Sequence, residues 1–407
     1  MSSVVVIGAG LAAGRCVTLL RKEGFDGPVT IVGDENQPPY ERPPLSKEYM
    51  QGKKPLEKFQ VHPLEWYAEH SVDTRFDDAA VAIDREAKKV RLASGEELPY
   101  DHIVIATGAR SRHIDIPGSD LPQVHYLRDL AESDAIRAAL VPGAELVIVG
   151  GGWIGLEVAS SARQAGVNVT VLERDRWPLL AVLGDKIAEN FTDLHRSHGV
   201  GVQTEVSVEE IVGEDGRVTG VRTSTETIPA DFVLIGVGAI PNTELAEAAG
   251  LEVDHGVLVD EHLRSSDPDI LAVGDVANAW NTAMKARLRV EHWDNAIRQG
   301  KLAAKVILGR DDVYDWQPYF YTDQYDMGME YVGHADGHDE VVARGDAGSG
   351  EFIVFWLHDG RVKAAMNVNI WDVNDDLRAL IGADLSPGVL ADHRVALKDL
   401  VKSVQSA

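Results

Sequence analysis

Val4-Val5-Val6-Ile7-Gly8-Ala9-Gly10-Leu11-Ala12-Ala13 and Leu146-Val147-Ile148-Val149-Gly150-Gly151-Gly152-Trp153-Ile154-Gly155 decide the fold of this chain. In each, an apolar strand runs into a glycine-rich turn and then into a helix-like stretch. The first glycine permits a tight turn, the second lets the backbone approach a pyrophosphate, and the third small residue, Ala13 or Gly155, lets the helix pack on the strand. The open N–H groups of the helix's first turn then face an anion. One such turn is a weak signal, because glycine-rich turns are common. Two, each meeting an acidic residue near the end of the next strand, are a strong one. They predict two dinucleotide sites on one chain, and so electron traffic between them.

The acids come next. Val29-Thr30-Ile31-Val32-Gly33-Asp34-Glu35 reads as a buried parallel strand ending in acid, with Asp34 and Glu35 both candidates for the ribose. Val169-Thr170-Val171-Leu172-Glu173 is its counterpart. A carboxylate there accepts hydrogen bonds from ribose hydroxyls and repels a 2′-phosphate, so Glu173 favours NADH over NADPH. Arg174 and Arg176 pull the other way, since either could pair with that phosphate.

Working outward, residues 1–110 read as β-α-β, a Pro-rich loop from Gln37 to Pro44, a hairpin joining Val81–Ile83 to Val90–Leu92, and the buried strand His102–Ile105. Residues 111–240 repeat the plan, with a second helix over 184–198 and a closing strand Phe232–Ile235. Residues 241–317 add a buried strand ending at Gly274-Asp275 and a long helix from about Asn295 to Leu308. From residue 318 onward no glycine loop occurs, and Phe352–Leu357 with Val362–Val368 read as antiparallel strands. The expected fold is α/β: two Rossmann-like dinucleotide-binding domains of glutathione-reductase type and a C-terminal α+β domain. The predicted domains are 1–110 with 241–317, then 111–240, then 318–407.

Composition excludes several functions. The 407 residues, 44% hydrophobic and 26% charged, suit a globular protein of two or three domains. With 39 Lys and Arg against 65 Asp and Glu, the net charge is −26, which argues against nucleic acid and anionic membrane surfaces as partners. No uninterrupted apolar stretch approaches the ~18 residues of a membrane helix. The N-terminal apolar run has no basic flank and is broken by Gly8 and Gly10, so it is not a signal peptide, and the expected location is cytoplasmic. Cys16 is the single cysteine, which rules out a disulfide framework and a redox-active dithiol within the chain. The histidines lack metal-ligand spacing; His334 and His338 are four apart but flanked by Gly333 and Gly337, so no metal site is expected.

The chain resembles the oxygenase-coupled NADH:ferredoxin reductases, a family of FAD flavoproteins, over nearly its whole length. The likeness rests on Ile7-Gly8-Ala9-Gly10, Glu41-Arg42-Pro43-Pro44-Leu45-Ser46-Lys47, Ala106-Thr107-Gly108-Ala109-Arg110 and Gly150-Gly151-Gly152-Trp153-Ile154-Gly155-Leu156-Glu157. It continues with Gly236-Val237-Gly238-Ala239-Ile240-Pro241-Asn242, Ala272-Val273-Gly274-Asp275 and Thr322-Asp323-Gln324-Tyr325. The Arg-Pro-Pro-Leu-Ser-Lys and Asp-Gln-Tyr segments are the discriminating ones.

The resemblance implies FAD in the first site and NADH in the second, the NADH domain being inserted in a discontinuous FAD domain. It implies FAD contacts from Gly8, Gly10, Leu11, Ala12, Asp34 or Glu35, Arg42, Lys47, the Ala80–Val81 backbone, Ala106, Thr107, Gly108, Arg128, Gly274 and Asp275. Glu291, His292, Trp293 and Tyr321 complete that set. NADH contacts are implied for Gly150, Gly152, Trp153, Ile154, Gly155, Glu157, Glu173 and Gly238. Lys47 resembles the family's lysine beside the flavin, partnered by a glutamate at Glu157. Tyr321 departs from the tryptophan that relatives often carry. The implied partner is a [2Fe–2S] ferredoxin serving a cytochrome P450 or a Rieske oxygenase. Close alternatives are a rubredoxin reductase, an NADH oxidase, and a redox-sensing flavoprotein of apoptosis-inducing-factor type.

Because ferredoxins and this chain are both acidic, docking requires a local basic face. Residues 285–310 offer Lys285, Arg287, Arg289, Arg298, Lys301, Lys305 and Arg310, and Arg42 to Lys58 is a second basic stretch.

Overall fold

In the computed structural model, which describes residues 2–405, the chain divides into two compact units. The first comprises residues 1–43, 55–110 and 239–318; the second comprises 44–54, 111–238 and 319–407. Residues 44–54 thus leave the first glycine loop's unit. Residues 111–238 and 319–407 pack as one body.

The first unit is built on a five-stranded parallel sheet. Its strand order is Ile270–Ala272, His102–Ile105, Val4–Ile7, Val29–Val32, Val72–Arg75. Apart from Thr30 and His102 the three inner strands are apolar, because helices cover both faces of a parallel sheet. Val4, Val6, Ile31, Ile103 and Ile105 are all fully buried. The Val4–Ile7 strand lies centrally, pairing in register with Val29–Val32 on one side and His102–Ile105 on the other. Its C-terminal end is therefore the point where the strand order reverses, the place where such sheets form a binding crevice.

The second unit repeats this arrangement. Its parallel order is Gly201–Gln203, Asn168–Leu172, Glu145–Val149, Phe232–Ile235, Val124–His125. Leu146 pairs with Val169 and Phe232 just as Val4 pairs with Val29 and His102. The same unit carries a five-stranded antiparallel sheet ordered Tyr319–Gln324, Met327–Gly333, Arg361–Val368, Phe352–His358, Glu340–Arg344. Phe191, Ile187 and Leu183 pack on Met329, Tyr331, Trp356 and Met366 from this sheet. The Trp356 indole N–H donates to Leu183 O at 3.3 Å. The opposite face is covered by Leu377, Leu380, Leu390 and Leu400 from three short helices.

Of two expected helices, one keeps its bounds and one starts earlier. The helix expected over 184–198 is present as Asp185–Ser197, with Gly184 (φ +74°) as its N-cap, and a separate short helix, Leu180–Leu183, precedes it. The long helix begins two residues early and spans Trp293–Ile307, because Asn295 Nδ2 reaches back to Val290 O (2.9 Å) and ties the entering chain to the first turn. No helix among the described residues is long and apolar enough to cross a membrane.

Candidate functional site: two glycine loops and a buried Lys–Glu pair

The first loop leaves the Val4–Ile7 strand at Gly8, with φ +106°. A Cβ at Gly8 would stand 2.2 Å from Ala106 O, so only glycine fits there. Gly10 then caps the Leu11–Lys22 helix without a side chain, and no acid occupies its first turn. The N-terminal amides and the positive end of the helix are thus open to an anion. Ala12 and Ala13 are buried. A Cβ on Gly300 would lie 2.2 Å from Ala12 O, which shows how closely the Trp293–Ile307 helix seats against the loop helix.

Around this loop the structure gathers several expected residues. Gly33 is held against Ala9, and Asp34 beyond it is exposed. Glu35 instead accepts from Tyr40 OH (2.5 Å) and from Arg42 Nη2 (2.8 Å). Of the two candidate acids, Glu35 is the one tied to Arg42. Thr107 Oγ1 donates to Asn242 O, and Asn242 Nδ2 donates back to Thr107 O, both at 2.8 Å, fixing the Ala106–Gly108 turn. Gly274 has φ +75°, its N–H donates to Gln299 Oε1, and it sets the buried Asp275 in a short 3-10 turn. Ala80 and Val81 lie on the Ala80–Asp84 strand, with Val81 exposed. Glu291 pairs with Arg289, His292 caps the long helix and Trp293 opens it.

The second loop uses the same geometry. Gly150 has φ +102°, and a Cβ there would meet Gly236 O at 2.5 Å. Gly152 caps the Trp153–Gln164 helix with no side-chain cap and no first-turn acid. A Cβ at Gly155 would come within 2.4 Å of Gly150 O, so this helix sits too close to its own loop for the alanine that Ala13 represents in the first. Glu173 ends the adjoining strand and accepts from Gly151 N (2.7 Å) and Asp175 N (2.8 Å). Arg174 points into solvent, and Arg176 pairs with Asp185. Gly238 has φ +104° and its carbonyl accepts from Arg112 N. Trp153 lies edge-on to Phe191 and Phe320, while Ile154 is exposed.

Both loops combine glycines that exclude a Cβ, uncapped helix N-termini and an anchored acid. They fit the pyrophosphate and ribose of a dinucleotide.

Lys47 and Glu157, far apart in sequence, meet in the second unit. Lys47 Nζ stands 2.8 Å from Glu157 Oε1, and both side chains are almost fully buried. Glu157 lies on the second loop helix, one turn from Trp153. Ser46 Oγ donates to Glu157 Oε2 (2.5 Å) and Thr322 Oγ1 to Glu157 Oε1 (2.6 Å). The Tyr321 ring lies 5.3 Å from Lys47 Nζ, within cation–π range. The carboxylate is therefore satisfied by one ammonium and two hydroxyls, which buried charge requires. Ser46 and Thr322 were not assigned a role from sequence, although each adjoins a residue that was. Arg128, also in this unit, precedes the Leu130–Ala139 helix, and its backbone N–H donates to Glu132 in the capping box.

Within the basic stretch from Arg42 to Lys58, Arg42 is spent on Glu35 and Lys47 on Glu157, while Lys53 and Lys58 are exposed. Much of the 285–310 cluster is likewise engaged, Arg289 with Glu291, Lys305 with Asp312 and Arg310 with Glu23. Arg298 pairs with Asp294 at 3.3 Å and stacks on Trp316 at 3.6 Å. Lys301 is exposed beside it, and burial together with the charges of Arg15, Arg298 and Lys22 lowers its pKa.

Residues 2–300 match the pyridine nucleotide-disulphide oxidoreductase family and residues 319–401 match the reductase C-terminal domain. The chain is 38% identical over 369 residues to rhodocoxin reductase of Rhodococcus erythropolis, covering 90% of this chain and 86% of that protein. It is 37% identical to the biphenyl dioxygenase system ferredoxin–NAD(+) reductase component of Paraburkholderia xenovorans, over 99% of both. The crystal structure of the covalent putidaredoxin reductase–putidaredoxin complex superposes with a TM-score of 0.96 at 34% identity, over 100% of this chain and 99% of that one. The ferredoxin reductase for the CYP199A2 system from Rhodopseudomonas palustris does so with a TM-score of 0.94 at 36% identity, over 98% and 100%. With its two glycine-loop sheets and C-terminal antiparallel sheet, the chain belongs to the pyridine nucleotide-disulphide oxidoreductase family.

Proposed function

We propose that the chain is an FAD-dependent NADH:ferredoxin reductase, passing electrons from NADH through FAD to a [2Fe–2S] ferredoxin that serves a cytochrome P450 or Rieske oxygenase. The observation that carries this reading is two open glycine-loop helices on a chain whose one thiol, Cys16, is fully buried. A family that includes disulphide chemistry is represented here without a dithiol, so electrons must leave to an outside acceptor. The names of the relatives supply the class of that acceptor.

In this reading residues 1–110 and 241–317 form the FAD domain, 111–240 the NADH domain and 318–407 a C-terminal α+β domain. Bound flavin supplies the exchange between a two-electron donor and a one-electron acceptor. The protein's part is to bind, orient and supply charge. Gly8, Gly10 and the Leu11–Lys22 helix N-terminus hold a pyrophosphate, and Glu35, fixed by Arg42, holds a ribose. Asp275 accepts from a ribityl hydroxyl. Gly150, Gly152 and Gly155 seat the second pyrophosphate, and Glu173 reads the NADH ribose. The Lys47 ammonium, anchored by Glu157, is a fixed buried positive charge that favours electron uptake. Arg298 and Lys301 steer the acidic partner. The chain acts in the cytoplasm, where NADH is available.

Anaerobic NADH should bleach the flavin rapidly, and cytochrome c should be reduced fast only when a [2Fe–2S] ferredoxin is added. Rapid oxygen consumption without ferredoxin would favour an oxidase, and exclusive coupling to rubredoxin would favour a rubredoxin reductase. A long-lived charge-transfer complex with sluggish turnover would favour the sensor.

A further inference from the structure

Beyond the Lys47–Glu157 pair runs a buried line of polar side chains whose hydrogen-bond direction is dictated from one end. A carboxylate only accepts, so Thr322 Oγ1 must donate to Glu157 Oε1 (2.6 Å). Having spent its proton, the Thr322 oxygen accepts, and Gln324 Nε2 lies 3.2 Å away to donate to it. That orients the amide so that Gln324 Oε1 faces His195 Nε2 at 2.8 Å, and an amide oxygen has no proton to give. His195 Nε2 must therefore carry the hydrogen. Its Nδ1 is left as the acceptor for Tyr325 OH at 3.3 Å.

Every donor in this line points toward Glu157. His195, Gln324, Thr322 and Glu157 are all buried, so water does not compete for these bonds. The outer end is fixed too. Tyr325 stacks on His198 with ring centres 3.7 Å apart and an interplanar angle of 9°, its backbone N–H donates to Ser160 Oγ, and it holds φ +58°, unusual for a non-glycine residue. Burial also pushes the His195 imidazole down to about 4, which keeps the ring neutral.

We propose that His195, Gln324 and Thr322 are positioning residues: a one-way chain of neutral donors that aims the Glu157 carboxylate at Lys47 while leaving its charge to be balanced by that ammonium alone. The functional part of this inference rests on the reading of Lys47 and Glu157 as part of the flavin machinery. A chain of neutral donors orients a carboxylate without replacing its cation.

The test has two arms. In the holoenzyme with 15N-labelled histidine, two-dimensional NMR between pH 6 and 8 should show His195, identified by its loss in His195→Gln, as the neutral Nε2–H tautomer. An Nδ1–H tautomer or an imidazolium would overturn the proposal. In stopped-flow reduction at saturating NADH, Thr322→Val, which keeps the shape and removes the hydroxyl, should slow flavin reduction about tenfold with the KM for NADH within twofold of native. Thr322→Ser should stay within twofold of native in both. A valine variant as fast as native, or a serine variant as slow as valine, would refute the positioning role. If NADH fails to reduce the native protein, the proposed function falls, whereas the tautomer still decides the chain's direction.

Discussion

Glu35 and Glu173 are the same residue type just past the second strand of two similar halves, Glu35 lying two residues further along, and they are held differently. Side chains hold Glu35, through Arg42 and Tyr40; backbone amides of Gly151 and Asp175 hold Glu173. The second arrangement couples the acid directly to its glycine loop and leaves Arg174 in solvent. Glu173→Ala should therefore narrow the preference for NADH over NADPH about tenfold in kcat/KM, the size of one lost charge-assisted contact. An unchanged ratio would mean that another residue reads the ribose. Cys16 gives a second residue-scale prediction. Burial pushes its thiol up to about 12, so the thiolate that reacts is scarce at neutral pH. Ellman's reagent at pH 8 should label no more than a few per cent of the native thiol in an hour, and one equivalent in denaturant. Since the folded pKa lies above the unfolded one, the stability this thiol contributes is complete below pH ~8.5 and fades as pH rises toward 12.

Among the elements, the C-terminal antiparallel sheet shows how one side chain anchors a segment. Arg344 ends the Glu340–Arg344 strand almost wholly buried, and its guanidinium donates to the carbonyls of Leu390 (3.2 Å), Asp392 (2.9 Å) and Val395. The first carbonyl lies at the end of the Pro387–Ala391 helix and the other two in the chain between it and the Leu397–Gln405 helix, which has no strand to pair with. Arg344→Met keeps the aliphatic packing and removes the donors. It should cost about 2–4 kcal/mol in urea unfolding, by leaving three carbonyls under-satisfied. Native-like stability would show that water replaces the guanidinium. The apolar run Phe352–Leu357 and the alternating Val362–Val368 made the sheet legible in sequence, but no pattern marks Arg344, because backbone acceptors carry no side-chain signature. The short Leu180–Leu183 helix ahead of Gly184 was equally hidden, since four residues are too few to show a helical period.

At the scale of the whole molecule, a chain of net charge −26 must still attract an acidic partner. Local charge decides this, because fields from exposed groups fade over about 10 Å at ordinary salt. Arg15, Lys22, Arg298 and Lys301 gather on the Leu11–Lys22 and Trp293–Ile307 helices. Reversing Arg298 and Lys301 together to glutamate should raise the KM for ferredoxin roughly tenfold or more at low ionic strength, flatten its salt dependence and leave flavin reduction by NADH unchanged. An unchanged salt profile would place docking elsewhere.

Glycine loops, apolar parallel strands, terminal acids and a lone cysteine were decisive in sequence because each is a local constraint. A turn that tolerates no Cβ, or a strand buried on both faces, must be written in consecutive residues. The Lys47–Glu157 pair was legible only through resemblance. Ser46, Thr322, Gln324 and His195 acquired meaning only when three stretches of chain came together in the second unit. A hydrogen bond between residues more than a hundred positions apart leaves no period and no spacing. What tertiary structure alone decided is which of the chain's polar groups lost their water, and burial is what turns an ordinary threonine, glutamine or histidine into a donor with a single possible direction.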